Sequence, residues 1–174
     1  MLSQKTAADY RTDMQLIQPV FIQIGSKKYL NQSLQTKNPR EDAVKIALLN
    51  LGIPSYYEYK RYPLSNGKAY FPDFTTSLSF NGRQVILEPH SSIDNDYMGK
   101  LKEFIVQYNF YVVVISNKNI SKLKQQSIDP RDFVDEYWFI NKFENSESEI
   151  KYNSRKVEKK LKSLLRKQEV EKLV

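Results

Sequence analysis

Two carboxylates, Asp73 and Glu88, are the side chains most suited to chemistry, since they lie on neighbouring predicted strands that a turn joins. Side chains alternate between the two faces of a strand, so both acids and the only histidine, His90, fall on the polar face. Diagonal neighbours on paired strands stand roughly 7 Å apart at Cβ, and two carboxylates reaching across that gap can share one divalent cation. The pattern predicts a metal site built from oxygen ligands.

The register of this hairpin follows from the dipeptide Asn81-Gly82, which tolerates the positive φ angles of a type I′ turn. A two-residue loop there pairs Phe80 with Arg83. Counting back along both strands gives two further pairs, Asp73 with His90 and Thr75 with Glu88. The opposite face then carries Phe74, Thr76, Leu78, Phe80, Val85 and Leu87.

A third acid, Glu41, lies in a predicted helix with Asn38 as its cap and Pro39 at its first position. Glu41 is in line with Val44 and Leu48 at helical spacing, which directs its side chain toward the element on which the helix packs. An acid in that position needs a partner. Two partners fit this position. One is the shared cation, and the other is the main-chain amide of the cap residue, as in a capping box.

The strands that hold the acids are predicted from two Asn-Gly turns. The segment Ser65-Asn66-Gly67-Lys68 has the composition of a type I′ hairpin turn, as does Asn81-Gly82. Together the turns predict a three-stranded antiparallel meander. Its strands are expected at about residues 56–63, 69–80 and 83–89.

Helices are expected on both sides of this meander. The first helix runs to about Leu51 and stops at Gly52. A second helix is predicted over 97–108, because its apolar residues recur at spacings of three and four. The segment 110–116 is apolar on both faces, which predicts a buried strand, and the intervening helix favours a parallel crossover.

The two ends of the chain are harder to assign. Residues 19–25 are strand-like, and Gly25-Ser26 suits a turn. Residues 127–143 have a mixed pattern in which Tyr137-Trp138-Phe139 are expected to pack. Residues 144–149 are polar and acidic, which predicts a linker.

The final stretch, from about Lys151, is predicted to be a charged helix. Residues 151–174 carry nine Lys or Arg against three Glu, so most of the net charge of +7 is there. Three interpretations are open: a solvated helix, a clamp for nucleic acid, or a helix whose Leu161, Leu164 and Leu165 side pairs two subunits. The sequence divides into a domain over 1–143, with its core at 38–117, and a basic helical tail over 144–174.

Composition excludes several classes of protein. The chain has no cysteine, so disulfides, thiolate zinc sites, iron–sulfur clusters and cysteine nucleophiles are ruled out. It has no apolar run of about 18 residues and no signal-peptide core, which predicts a soluble protein of the cytoplasm or host-cell interior, without a membrane partner. The net charge of +7 favours a polyanionic partner such as DNA or RNA.

Four segments occur in a recognisable order: Glu41 in a helix, Phe71-Pro72-Asp73 on a strand, Ile86-Leu87-Glu88-Pro89-His90 on the next strand, and Tyr97-Met98-Gly99-Lys100 in a following helix. In order, spacing and element type this resembles the PD-(D/E)XK nuclease superfamily over about residues 38–117. The fold that the resemblance implies is α/β (α+β), with a restriction-endonuclease-like core. In that core a mixed sheet with an antiparallel meander is flanked by helices.

The resemblance implies an endonuclease that hydrolyses phosphodiester bonds of DNA with Mg²⁺ or Mn²⁺ as cofactor. Asp73 and Glu88 would ligate the cation, and Glu41 would do so directly or through water. The backbone carbonyl of Pro89 would be a further ligand. A metal ion in such a site lowers the pKa of its bound water and offsets the charge of the phosphate.

The chain departs from the family pattern at His90, where a lysine is usual. Lys100, on the following helix, is the predicted replacement, which would orient the attacking water or neutralise the phosphate. His90 would then be a metal ligand or an auxiliary base.

Three basic residues near the first turn are predicted to contact nucleic acid. Lys60 and Arg61 lie in a tyrosine-rich segment, and Lys68 lies in the turn itself. Aromatic residues among basic ones suit stacking on unpaired bases, although tyrosines in strands more commonly pack in the core.

Two functions of other classes compete with the nuclease. One is a nucleic-acid-binding protein that has the nuclease fold without turnover, which the absence of the motif lysine allows. The other is an assembly protein whose acids are solvated surface. For the nuclease a homodimer is expected, because cutting both strands needs two sites and one chain supplies one.

Overall fold

A five-stranded sheet with helices on both faces forms the centre of the fold. The computed structural model describes residues 21–24, 27–30, 38–141 and 146–171. The strands are β1 Phe21–Ile24, β2 Lys27–Leu30, β3 Ser55–Tyr57, β4 Tyr62–Pro63, β5 Ala69–Tyr70, β6 Phe74–Phe80, β7 Arg83–Pro89, β8 Tyr111–Ser116 and β9 Glu136–Phe139. The α-helices are α1 Pro39–Asn50, α2 Asn95–Tyr108, α3 Ile120–Gln125 and α4 Glu147–Glu171. A short 3₁₀ helix spans Pro130–Asp132.

The strand order in the main sheet is β3-β6-β7-β8-β9. The pairs β3-β6 and β6-β7 are antiparallel, whereas β7-β8 and β8-β9 are parallel. The predicted mixed sheet flanked by helices is therefore confirmed. So is the crossover, because α2 connects β7 to a parallel neighbour, β8.

The sheet separates two hydrophobic cores. On one face α1 and α4 pack on the sheet through Val44, Leu48 and Leu161. On the other face α2 packs through Leu101 and Phe104, together with the β4-β5 hairpin and α3. Strand β8 contributes alternate residues to both cores and is buried throughout, as its apolar sequence predicts.

The first Asn-Gly turn does not extend the main sheet, and the predicted long strands at 56–63 and 69–80 are each interrupted. Glu58 has a positive φ of 42° and breaks the first of them between β3 and β4. Phe71 and Pro72 break the second, where Pro72 has no amide to donate to a ladder. Strands β4 and β5 form a separate two-stranded sheet.

The two Asn-Gly turns also differ in type. Asn81 and Gly82 both have positive φ, 51° and 69°, which confirms the type I′ turn and the Phe80–Arg83 pair. In the first turn only Gly67 has positive φ, and Leu64 donates from its amide to the carbonyl of Lys68, so the loop has three residues. The type I′ prediction there is wrong.

The helices α1 and α2 begin and end close to their predicted limits. Asn38 caps α1 by accepting from the amides of Arg40 and Glu41, and Leu51 and Gly52 follow its last residue. Helix α2 begins two residues earlier than predicted, because Asp94 caps it by accepting from the amide of Tyr97.

The C-terminal part contains two features that the sequence did not predict correctly. Strand β9 lies in the segment with a mixed pattern, and Trp138 is buried there as expected. Helix α4 begins at Glu147, so residues 147–149 are helical rather than linker. The predicted domain boundary at 143/144 lies outside the described residues.

The leucine side of α4 is buried within the chain. Val157, Leu161 and Leu164 belong to the same core as α1. This face is therefore covered by the protein's own sheet and helix, and it is not available to pair two subunits.

The N-terminal strands form a unit of their own. Strands β1 and β2 pair antiparallel, with Ile24 next to Lys27, and this agrees with a hairpin. The predicted turn at Gly25-Ser26 lies outside the described residues. Across the described part of the chain, no helix has the length and apolar character needed to cross a membrane.

Candidate active site

Asp73 and Glu88 meet at the end of the β6-β7 ladder. Phe74 pairs with Leu87, so the next position places Asp73 opposite Glu88. The main-chain amide of Asp73 donates a hydrogen bond to Glu88 Oε1 at 3.0 Å. The two acids are thus direct cross-strand neighbours, whereas a diagonal arrangement was predicted.

A bulge explains the difference in register. Ser79 pairs with Gln84 as predicted, but Thr75 pairs with Ile86 rather than Glu88. The hydroxyl of Thr76 donates to the carbonyl of Val85 inside this bulge. The shift is two residues, an even number, so the side chains on either side of the bulge keep their predicted faces although the pairs Asp73–His90 and Thr75–Glu88 are wrong.

Glu88 is a buried acid whose ionisation is unfavourable. Its side chain is 2% exposed. Burial raises the pKa of Glu88 well above its usual range, and the charge of Asp73 raises this pKa further. The nearby hydroxyl of Tyr70 and hydrogen bonds from the Asp73 amide and Tyr97 lower it in part. A strongly perturbed acid beside a second acid is a common feature of functional sites.

Two tyrosines surround Glu88, and the sequence patterns did not predict either as part of the site. Tyr97 Oη, in α2, donates to Glu88 Oε2 at 3.4 Å. Tyr70 Oη, in β5, is buried close enough to Glu88 to favour its ionised form, but its geometry falls outside that of a well-formed hydrogen bond. Burial, followed by the charge of Glu88, raises the pKa of both phenols well above the usual range. Both therefore stay protonated and present hydroxyl dipoles to the carboxylate.

Glu41 is held between the start of α1 and strand β3. It is 5% exposed. Its Oε1 accepts from the side-chain amide of Asn38 at 2.5 Å, and its Oε2 accepts from Tyr57 Oη at 2.5 Å. The contact with Asn38 joins Glu41 to the cap residue, although through the side-chain amide rather than the main-chain amide of a capping box.

Tyr57 donates a hydrogen bond to Glu41 and also responds to the charge of Asp73. Burial raises the pKa of Tyr57 first, and the hydrogen bond to Glu41 and the charges of Glu41 and Asp73 raise it further. Tyr57 thus lies within electrostatic reach of both acids. Tyr57 could have been identified from its place in a tyrosine-rich strand, because that strand pairs with the one that follows Asp73.

The structure brings Asp73 and Glu88 together. It joins Glu41 to Tyr57, whose pKa the charge of Asp73 also raises. Among the residues described, no group of three or more His, Asp or Glu side chains is arranged as a metal-ion site. The three-acid ligand set and the carbonyl of Pro89 stay predictions. Pro89 is buried at the last position of β7, next to Ile115 of β8.

His90 is stacked on Tyr97, with ring centroids 3.9 Å apart and planes 10° from parallel. Its main-chain amide donates to the carbonyl of Ile115, which continues the β7-β8 pairing. Burial lowers the pKa of His90, and the positive charges of Arg40 and Lys100 lower it further. Asp94 and Glu41 act in the opposite direction. The net effect favours a neutral imidazole.

Two cations therefore lie near His90. Lys100 is partly buried and stands one turn after Tyr97 on α2, as predicted. Arg40, next to Glu41 in sequence, was not predicted as part of the site. Burial lowers the pKa of Arg40, and the charge of Glu41 opposes this effect. The candidate site thus combines an acidic pair with a nearby cationic edge.

The three basic residues predicted to contact nucleic acid lie near the β4-β5 hairpin. Lys60 Nζ stands over the ring of Tyr62, 5.6 Å from its centroid. Arg61 is exposed directly before β4, and Lys68 is exposed directly before β5. The hairpin itself is held to α2, where Asn66 Nδ2 donates to Glu103 Oε2 at 2.8 Å. Their role in binding stays a prediction.

Compared with known proteins, the chain matches no family model, no curated protein and no solved structure.

Proposed function

We propose that this protein is a metal-dependent endonuclease with a restriction-endonuclease-like core, which hydrolyses phosphodiester bonds of DNA. The observation that carries the proposal is the direct opposition of Asp73 and Glu88 at the end of the β6-β7 ladder. Two acids at the ends of adjacent strands, one of them almost completely buried, are electrostatically unfavourable unless a cation accompanies them.

The donor set suits a hard divalent cation. Asp73 and Glu88 would hold it, and Glu41 and the carbonyl of Pro89 would supply further oxygen donors. The raised pKa of Glu88 fits this assignment, because a positive charge between the acids would offset both their repulsion and the cost of burial. When bound, Mg²⁺ or Mn²⁺ would provide a water of lowered pKa and electrostatic stabilisation of the phosphate.

The remaining site residues orient these groups. Tyr97 and Tyr70 present hydroxyls to Glu88, and the Asp73 amide fixes its other oxygen. Positive charge from Lys100 and Arg40 near His90 favours a phosphate at the edge of the acidic pair. In this proposal Lys100 takes the role of the motif lysine, and the neutral His90 keeps Tyr97 in position by stacking.

Cleavage of supercoiled plasmid tests the proposal. The wild-type protein should nick or cut the plasmid with Mg²⁺ or Mn²⁺ and leave it intact in EDTA. Asp73→Asn should abolish the reaction, whereas Asp96→Asn, an exposed acid in the first turn of α2, should retain it. Failure of the wild type to cut any form of DNA with either cation would overturn the proposal.

A second candidate function is a nucleic-acid-binding protein with the same fold and no turnover. The hydrogen bonds of Glu41 favour it, because Asn38 and Tyr57 already occupy both of its oxygens. Such a protein would bind DNA equally well in EDTA and as Asp73→Asn. Metal-dependent cutting that requires Asp73 excludes this alternative.

A further inference from the structure

A basic groove of about 740 Å³ lies between α4 and the residues Phe139, Ile140 and Asn141 at the end of β9. Six of its lining side chains are basic: Arg155, Lys156, Lys159, Lys160, Lys162 and Arg166. Only one, Glu158, is acidic. The excess of positive charge is therefore concentrated on one concave surface, and it is not spread around the helix.

The spacing of these residues forms a row along the helix. Arg155, Lys159, Lys162 and Arg166 are separated by four, three and four residues, which places them on one side of α4. With a rise of about 1.5 Å per residue the row is about 16 Å long. This length equals the axial rise of about five nucleotides in one strand of a duplex.

Within the described part of the chain, none of the ion pairs involves a lysine or arginine that lines the groove. Glu158 accepts a hydrogen bond from Asn50 in α1 at 2.7 Å, so one of its oxygens is engaged outside the row. Lys167, which does pair with Glu136, is not a groove residue.

The opposite side of α4 limits what the groove can bind. Val157, Leu161 and Leu164 are buried in the core with α1. A basic helix that lies on a lipid surface inserts its apolar side among the acyl chains, and in this protein that side is not accessible. The groove instead offers a row of basic side chains beside Phe139 and Ile140. Basic side chains of this kind contact a phosphate backbone.

The groove shares an edge of the sheet with the candidate active site. Strands β7, β8 and β9 are parallel, and Pro89 lies next to Ile115 while Phe139 lies next to Ser116. Phe139 lines the groove and lies two strands across and two residues along from Glu88, which at about 4.8 Å per strand and about 3.3 Å per residue is about 12 Å between main chains. Helix α4 covers the face of the sheet opposite to α2, whose Tyr97 contacts Glu88, so a polymer that reaches both surfaces would pass around this end of the strands.

We infer that the groove between α4 and the end of β9 binds the phosphate backbone of duplex DNA beside the candidate active site. The inference rests on the proposed function for the identity of the polymer. Lys159, Lys162 and their neighbours hold the backbone without reading its sequence, and Asp73 and Glu88 act on a phosphate nearby. Binding in the groove needs no metal ion.

Binding of a fluorescent duplex in EDTA, followed by anisotropy over a range of salt concentrations, tests the inference. The Lys159→Glu/Lys162→Glu variant should bind about tenfold more weakly or worse at moderate salt. The slope of log K against log salt should become shallower by about two, because two phosphate contacts are lost. The Lys102→Glu/Lys122→Glu control makes the same change of charge at exposed lysines of α2 and α3, outside the groove, and should change binding little.

Three results would overturn the inference. The first is an unchanged affinity and salt slope in the groove variant, and the second is an equal loss in the control. The third is binding of wild type to phosphatidylserine vesicles without binding to DNA. Because the experiment contains EDTA, a protein that binds through the groove but never cuts would leave the inference standing and overturn the nuclease proposal alone. If the groove variant binds and cuts DNA as well as the wild type does, the groove inference is overturned and the nuclease proposal stands.

Discussion

The main-chain amide of Asp73 donates a hydrogen bond to the carboxylate of Glu88 at 3.0 Å, across the end of the β6-β7 ladder. The main chain of Asp73 therefore orients the carboxylate of Glu88, and the side chain of Asp73 takes no part in this contact. The side chain of Asp73 can therefore be changed without removing the contact that orients Glu88. For this reason Asp73→Asn is a suitable variant for separating cation binding from folding.

Glu88→Gln is expected to stabilise the metal-free protein. The folded-state pKa of Glu88 is raised, so its ionised form opposes folding at neutral pH, and an uncharged side chain of the same shape removes that penalty. The free energy of unfolding in EDTA should rise by about 1 kcal/mol in urea denaturation. Glu169→Gln, at an exposed position of α4, should change it by no more than about 0.5 kcal/mol. A loss of stability in Glu88→Gln would contradict the electrostatic description of the pair.

Tyr57→Phe is expected to destabilise the protein by about 2 kcal/mol in EDTA, because the buried carboxylate of Glu41 loses a hydrogen-bond donor. If Glu41 is a ligand of the cation, saturating Mn²⁺ should reduce this loss, since the freed oxygen gains a new partner. Tyr56→Phe, at the preceding position of β3, is the matched control. A loss that is the same with and without Mn²⁺ would remove Glu41 from the ligand set.

Lys100→Ala is expected to lower the rate of plasmid cleavage by about 10² or more, because a charge near the reacting phosphate is removed. Binding of DNA in EDTA should change far less. Lys122→Ala, at an exposed position of α3, should cleave like the wild type. Full activity in Lys100→Ala would show that another group takes the role of the motif lysine.

The junction of β9 with α4 is expected to respond to acid through Glu136. Burial raises the pKa of Glu136, but hydrogen bonds from Trp138, Lys167 and Tyr111 lower it more, so the net pKa is below its usual value of 4.5. An acid with a lowered pKa stabilises the fold above its unfolded-state pKa and loses this contribution as the pH falls. Glu136→Gln should therefore cost about 1 kcal/mol at neutral pH. The difference from wild type should shrink below about pH 4.5, as thermal melts at several pH values would show; a constant difference would contradict the assignment.

The site acids could be predicted because their positions depend on local chemistry. The Asn81-Gly82 turn set the register at its own end of the hairpin, and alternation then sorted the side chains between the faces. The bulge could not be predicted, because it depends on the hydroxyl of Thr76 reaching the carbonyl of Val85 in the partner strand. A bulge that shifted the register by one residue would have turned Asp73 away from Glu88, whereas the observed shift brings them closer.

The residues that surround the acids were missed for a different reason. Tyr70 comes from a separate hairpin and Tyr57 from an edge strand, and both meet the site only through tertiary packing. Arg40 gave no periodic signal, since it lies between a helix cap and the buried Glu41. Strand β9 was missed because its four residues have no clear alternation before they pair with β8. Patterns in sequence thus identified the acids and left out the groups that orient them.

Crystals of the protein soaked in Mn²⁺ provide the most direct test of the central claim, through the anomalous signal of manganese. One strong peak is expected within coordinating distance of the carboxylates of both Asp73 and Glu88, and it should disappear in Asp73→Asn. No peak at this pair, or a peak that persists in that variant, would contradict the proposal that the two acids form a metal centre.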